Sequence, residues 1–218
     1  MQTLNKNMAF PLILSAGSGT GKTTITRALK DRYPDRFHVS ISATTRPPRG
    51  NERDGIDYHF VDNARFSEMI RNGKLIEWAH VHDHLYGTPR DEIDNPITSG
   101  KIVLLDIDIQ GGIQIISTVP DVVSVFLLPP SMDELRRRLM SRRTEDNKQI
   151  ELRIKTARSE IEKGVASYDY ILINSEVEMC VEYLLSIIRA EQLKSWRIQR
   201  SKTLLAFLKE GTKVDIPR

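Results

Sequence analysis

A chain of 218 residues, 39% apolar and 28% charged, has the composition of a soluble globular protein and is long enough for one sizeable domain carrying insertions. No apolar run reaches the length of a membrane-spanning helix, residues 1–7 carry no signal-peptide core, and the single cysteine, Cys180, excludes an intrachain disulfide framework. The pI near 9.0 would suit a nucleic-acid binder, but the net charge is only +3 and acids and bases are interspersed, so the expectation is a cytoplasmic protein with no nucleic-acid or membrane partner, a monomer or a homodimer.

The first element is an apolar strand over residues 10–14. Ala16-Gly17-Ser18-Gly19-Thr20-Gly21-Lys22-Thr23 follows it, and Ile25 and Leu29 then show helical spacing up to Tyr33-Pro34, where proline must end the helix. Strand, glycine-rich loop and helix start together make a P-loop. Its glycines let the backbone curl so that several N–H groups converge on one anion. The helix start adds the positive end of a dipole. Lys22 can reach terminal phosphates and the Thr23 hydroxyl can ligate a divalent cation. Ala16 occupies the first motif position in place of glycine.

Residues 40–96 break this rhythm with Gly, Pro, Asp and His. They read as an inserted α+β subdomain: strand-like 58–61, helix-like 64–72 and strand-like 75–79. At its start, after a strand-like 39–41, Ser42-Ala43-Thr44-Thr45-Arg46-Pro47-Pro48-Arg49 presents two arginines stiffened by prolines, either a fork for a phosphate or a solvated basic turn. The alternation His80-Val81-His82-Asp83-His84 invites zinc, but no cysteine or acidic pattern completes such a site, and a polar loop near the substrate is the expected reading.

Beyond the insert, apolar strands 102–107, 122–128 and 170–173 alternate with helical stripes. These are Met132, Leu135 and Leu139; Ile150, Ile154, Ala157 and Ile161; and Val177, Val181, Leu184, Leu185 and Ile188. Such alternation predicts a parallel sheet covered on both faces. Asp106 and Asp108 close one strand and are expected on the same face of it. Arg136–Glu162 reads as a second insert, with Asp146 and Gln149 placed to cap a new helix. Cys180 reads as a small core residue. The tail beyond Ser195 is basic and partly amphipathic through Leu204, Leu205 and Leu208, which suits a terminal helix.

Taken in order and spacing, Ser42 through Arg49, Gly55-x-Asp57-Tyr58, Ile76-Glu77-Trp78-Ala79, Tyr86-Gly87-Thr88 and Leu105-Asp106-Ile107-Asp108-x-Gln110-Gly111 resemble the guanylate kinase family, and the resemblance runs from about residue 10 to 189. It implies an α/β fold: a P-loop NTPase-type parallel sheet core (8–41, 97–135 and 163–190), an inserted α+β GMP-binding subdomain (42–96), a helical lid (136–162) and a helical C-terminal tail (191–218). It implies transfer of the γ-phosphoryl group of ATP to GMP, with Mg²⁺ as cofactor and dGMP also accepted.

The resemblance places Arg46, Arg49, Tyr58 and Tyr86 on the phosphate of GMP, and Ser42, Glu77, Thr88 and Asp108 around the guanine. Arg138, Arg142 and Arg153 match lid arginines, and Asn174 matches an asparagine near the adenine. ATP would lie on Ala16, Gly17, Ser18, Gly19, Thr20, Gly21, Lys22, Thr23 and Thr24, with Arg138, Arg142 and Asn174. Catalysis would rest on Lys22, Arg46, Arg138, Arg142 and Arg153. Thr23 and Asp106 would serve the metal, leaving Asp108 to the base. Arg136, Arg137 and Arg143 are expected to face solvent. Two departures from the family pattern stand out: Gly17 where many members have proline, and Leu85 where a second tyrosine is common. The physics agrees with the base assignment, because guanine offers N1–H and a 2-amino group that one carboxylate can accept together. A site built around such a hydrogen-bonded group rejects an analogue lacking it by roughly 10⁴–10⁵. The rival readings are a scaffold module that keeps the fold without catalysis, a kinase for AMP or CMP, and a nucleic-acid-binding ATPase.

Overall fold

A computed structural model describes residues 8–17, 19–81, 83–141 and 147–200. Its core is a five-stranded parallel sheet built from β1 (Pro11–Ala16), β2 (Phe37–Val39), β7 (Ile102–Asp106), β8 (Val123–Leu128) and β9 (Tyr170–Ile173), in the order β2-β7-β1-β8-β9. β1 is central and buried along nearly its whole length, which accounts for its unbroken apolar run. Strand alternation sorts the core into two layers. Leu12, Leu14, Leu104, Val125 and Leu127 face α1 (Lys22–Arg32) and α7 (Val177–Gln192), where they meet Ile25, Leu29, Cys180 and Leu184. Ile13, Val103, Leu105 and Phe126 face the other way, toward Ile93 of α3 (Asp91–Thr98) and Ile115 of α4 (Ile109–Thr118).

Two of these elements are not expected from the sequence. α3 contains Pro96 and α4 contains Gly111-Gly112. Each is a poor helix former, and each is held by the apolar face it lays on the sheet. β2 covers Phe37–Val39 rather than 39–41.

The insert forms a second sheet in the order β4-β3-β6-β5 from β3 (Ala43–Thr44), β4 (His59–Phe60), β5 (Leu75–Val81) and β6 (His84–Pro89). α2 (Asn63–Arg71) covers one face through Phe66 against Ala43 and Leu75, and Asp62 caps it by accepting from the Arg65 N–H at 2.7 Å. The polar loop expected at 80–84 is a hairpin: His80 lies on β5 opposite Leu85, and His84 opens β6 opposite Val81. His82 falls outside the described residues. No group of three His, Cys, Asp or Glu suited to a metal occurs among the described residues.

α5 (Met132–Ser141) and α6 (Asn147–Ser167) pair through Leu135, Leu139, Ile150, Ile154 and Ala157. Leu135 and Leu139 rest against Gly19, and Ala157 lies near Gly17, so this helical pair sits over the P-loop. Its midpoint, with Arg142, Arg143 and the Asp146 cap, lies outside the described residues, as does the tail from 201 to 218. α8 (Ser195–Arg200) docks on the core: the Arg197 guanidinium stacks on Phe10 at 4.4 Å and donates to the Asp121 carbonyl at 2.8 Å. No described helix is long and apolar enough to cross a membrane. Cys180 is buried, and burial pushes its thiol up to about 11.

Candidate functional site

A cleft of about 520 Å³ runs between the end of the core sheet and the second sheet. Lys22, Thr23, Asp106, Ile107 and Asp108 line the core side, and Ser42, Tyr58, Glu77, Ala79 and Tyr86 line the other.

At the loop end of the cleft, Gly19 (φ 87°) and Gly21 (φ 98°) occupy the left-handed region that only glycine enters cheaply, whereas Gly17 does not. A Cβ on Gly21 would also stand 2.6 Å from the Asn174 amide nitrogen. Gly21 starts α1 without a side-chain cap, so the first-turn N–H groups are left for an external acceptor. The Thr20 hydroxyl is buried without a partner, while the Thr20 carbonyl accepts from Asn174 Nδ2 at 2.7 Å and from Arg138 at 3.1 Å. Arg138 also donates to the Asn174 carbonyl at 3.3 Å and to Glu134 at 2.7 Å. Ala16, Gly17, Gly19, Thr20, Gly21, Arg138 and Asn174 are therefore gathered at one place, whereas Ser18 and Arg142 lie outside the described residues. Arg153 is exposed on α6. Arg137 faces solvent and pairs with Glu134; Arg136 pairs with Glu151, tying α5 to α6.

Lys22 reaches across to β7, donating to Asp106 Oδ1 at 2.7 Å and to the Ile107 carbonyl at 2.6 Å. Thr26 donates to the other Asp106 oxygen at 3.1 Å. Asp108 does not share a strand face with Asp106. β7 ends at Asp106, and Asp108 is the N-cap of α4, accepting from the Gly111 N–H at 2.8 Å. The Ile-Asp-x-Gln-Gly stretch turns into a helix because the Asp108 side chain satisfies its first turn. Asp108 still lines the cleft.

Across the cleft, Glu77 is only 7% exposed. Its Oε1 accepts from the Thr88 hydroxyl at 2.6 Å, and Oε2 lies beside Gly111, where a Cβ would come within 2.9 Å. Burial pushes its carboxyl above the usual range; Thr88 opposes that shift and the charge of Asp108 adds to it. The structure places no basic side chain on it among the described residues.

Arg46 is 5% exposed and its guanidinium is engaged on three sides. It binds Glu52 through two bonds of 2.9 and 3.0 Å, donates to the Tyr86 hydroxyl at 3.0 Å and to the Pro47 carbonyl at 2.8 Å, and lies 5.2 Å from the Tyr58 ring. Glu52 is what the sequence reading missed. It also accepts from the Arg49 N–H at 2.8 Å, and its carboxyl is held below the usual range chiefly by Arg46. The signal available was a glutamate three residues after Arg49, within reach of both guanidinium groups. Arg49 itself is exposed. Lys30, Ser40 and Ile41 also line the cleft and were not singled out.

A parallel sheet whose glycine-rich loop and first helix open toward a cleft, with a carboxylate-bearing wall opposite, defines a P-loop protein. The sequence profile of guanylate kinase matches residues 8–191. The guanylate kinase of Myxococcus xanthus (strain DK1622) is 45% identical over 203 residues, 91% of this chain and 97% of that protein. That of Sphingopyxis alaskensis is 48% identical over 186 residues, 85% of this chain and 84% of its own. The crystal structure of guanylate kinase from Anaplasma phagocytophilum superposes with a TM-score of 0.71 at 34% identity, covering 92% of this chain and 94% of that one. The chain belongs to the guanylate kinase family.

Proposed function

We propose that the cleft brings ATP and GMP together from opposite walls. The reaction is that of the family: the γ-phosphoryl group of ATP passes to GMP, giving ADP and GDP, a step of purine nucleotide metabolism. A phosphate oxygen of GMP forms the new bond to the γ-phosphorus, and the bond from that phosphorus to the β–γ bridging oxygen breaks, leaving ADP. A phosphate monoester is largely ionised near neutral pH, so no side chain has to remove a proton.

On the core side, the amides of residues 16–24 and Lys22 hold the donor phosphates, and Asn174 and Arg138 lie where the adenine half begins. The partnerless Thr20 hydroxyl and the open first turn of α1 suit a phosphate cradle. Thr23 and Asp106 supply the hard oxygen atoms that would hold Mg²⁺, which when bound would offset phosphate charge. On the opposite side, Arg46, Arg49, Tyr58 and Tyr86 receive the GMP phosphate; Ser42, Glu77, Thr88 and Asp108 surround the guanine. Arg138, with Arg142 and Arg153, neutralises charge as it shifts between the nucleotides. Little covalent work falls to the protein, and positioning with charge stabilisation does most of it. Closure keeps water from the γ-phosphorus. None of the assigned contacts needs the ribose 2′-hydroxyl, so dGMP is accepted on the same reading.

The observation that carries this reading is Glu77: a buried carboxylate on the cleft wall with one oxygen satisfied by Thr88 and, among the described residues, no cation beside it. It is tested by ADP production with GMP, dGMP, AMP, CMP and UMP in wild type and Glu77→Gln. The variant should raise the KM for GMP at least tenfold while leaving the KM for ATP within about twofold; equal changes in both would remove Glu77 from the guanine site. Lys22→Met should lower kcat by more than about 10³-fold, and near-normal turnover would free Lys22 of its role.

A further inference from the structure

At the root of the second sheet, outside the cleft, three elements meet on one carboxylate. Glu92 sits in the first turn of α3, whose Ile93 is buried with Val103 and Leu105, so its backbone is anchored to the core sheet. Its Oε2 binds His38 Nε2 of β2 at 2.8 Å and accepts from the Ile41 N–H at 3.0 Å. Its Oε1 binds His59 Nε2 of β4 at 3.0 Å. His38 belongs to the core sheet and His59 to the second sheet, while Ile41 lies on the linker that leads from β2 to β3. The glutamate side chain is 15% exposed, and the two imidazoles 31% and 37%.

Two of these partners adjoin residues of the cleft wall. Ser42 follows Ile41, and Tyr58 precedes His59. The Ser42 carbonyl accepts from the His59 N–H at 2.9 Å, so the two segments already run together. An imidazole Nε2–H can donate to a carboxylate whether the ring is neutral or protonated. We propose that Glu92 is a positioning residue for the acceptor nucleotide, a three-way clasp that sets the second sheet against the core and so fixes Ser42 and Tyr58 relative to Lys22. The inference rests on the reading of the second wall as the GMP site. It extends that reading to residues that touch neither nucleotide.

The clasp acts at one joint, so its effects are selective. Losing it leaves the P-loop untouched and lets the acceptor wall sample misaligned positions. His59→Ala removes only the second-sheet arm, at an exposed position where the fold tolerates the change. Glu92→Ala removes all arms, and Glu92→Gln keeps one accepting oxygen. The experiment is steady-state kinetics at pH 7.5 on these variants, the Glu92→Ala/His59→Ala double variant and Glu77→Gln. His59→Ala and Glu92→Ala should each raise the KM for GMP about five- to twentyfold with the KM for ATP within twofold. The double variant should be no worse than Glu92→Ala alone, since both remove the same joint, and Glu92→Gln should recover part of the loss. The proposal is overturned if His59→Ala leaves the KM for GMP unchanged while Glu77→Gln raises it, because the guanine site then stands without the clasp. It is overturned equally if the two single effects multiply in the double variant. If Glu77→Gln too has no effect on GMP, the acceptor-site reading falls, and the clasp with it.

Discussion

Two buried charges stand on the second sheet's side of the cleft in opposite electrostatic situations, Glu77 lining it and Arg46 behind Tyr58 and Tyr86. Arg46 is fully engaged, mostly by Glu52, which raises its affinity for a proton beyond any working pH. On the proposed reading an incoming GMP phosphate competes with that carboxylate for the guanidinium, so Glu52 holds Arg46 in place and also opposes the substrate. Removing it should loosen both effects: Glu52→Gln is expected to change the KM for GMP by less than about threefold in either direction, whereas Arg46→Lys, which loses the planar fork, should raise it by more than tenfold. Initial-rate measurements at fixed ATP separate the two. Glu77 is the reverse case, a carboxylate whose pKa burial raises and that has no cation beside it among the described residues. Guanine donors require its ionised form. The KM for GMP should therefore begin to climb on acidification at a higher pH than an ordinary carboxylate would give, and the climb should flatten in Glu77→Gln.

At the scale of elements, α3 and the helical pair α5–α6 are held by different means. Glu92 of α3 keeps its charge against burial because His38, His59 and the Ile41 N–H together bring its pKa down to about 2, from an ordinary 4.5. A depressed folded-state pKa gives stability that is present above about pH 4.5 and is lost as pH falls through 2. The interval corresponds to about 3 kcal/mol. Urea midpoints of wild type and Glu92→Gln should differ at pH 6 and converge toward pH 2.5; a constant gap would contradict the linkage. The α5–α6 pair depends on a small apolar cluster. Leu139 is 3% exposed and touches Gly19, so Leu139→Ala should cost about 2–4 kcal/mol of local stability. Because the same leucine backs the P-loop, the KM for ATP should rise with it, while the KM for GMP stays near wild type.

On the whole-molecule scale the first and last described segments meet at the foot of the sheet, away from the cleft. Glu191 is 2% exposed and accepts from the Tyr170 hydroxyl at 2.7 Å, from Lys194 at 2.7 Å and from Arg197 at 3.4 Å. Burial raises its pKa, but these partners win and hold it below the usual range. Glu191→Ala withdraws the carboxylate from a buried arginine and should cost about 3–5 kcal/mol. Thermal denaturation should show this loss, with kcat and both KM values near wild type at 20 °C, because the described contacts of Glu191 lie among Tyr170, Lys194 and Arg197, none of which lines the cleft. A parallel loss of activity would mean that the foot of the sheet and the cleft are coupled.

The strands of the core and the phosphate loop were legible along the chain, because buried parallel strands need continuous apolar runs and a tight anion cradle needs glycines at close spacing. The second wall was legible through motif resemblance, since residues 42–49, 77 and 86–88 carry their chemistry in short segments. Helices α3 and α4 were not, because a proline and two glycines mask helices that exist through packing on the sheet. The Asp106–Asp108 pair misled for a related reason: period-two reasoning applies only while a strand continues, and Asp108 ends it by capping a helix. Residue types and local spacing thus pointed to the groups proposed to bind phosphates. Tertiary structure alone decided that Glu52 lies across Arg46, that Arg138 and Asn174 meet on the Thr20 carbonyl, and that Glu92 joins His38 to His59. Those partners sit on separate elements or turn on the path of one loop, and only the folded backbone determines which charges end within 3 Å of one another.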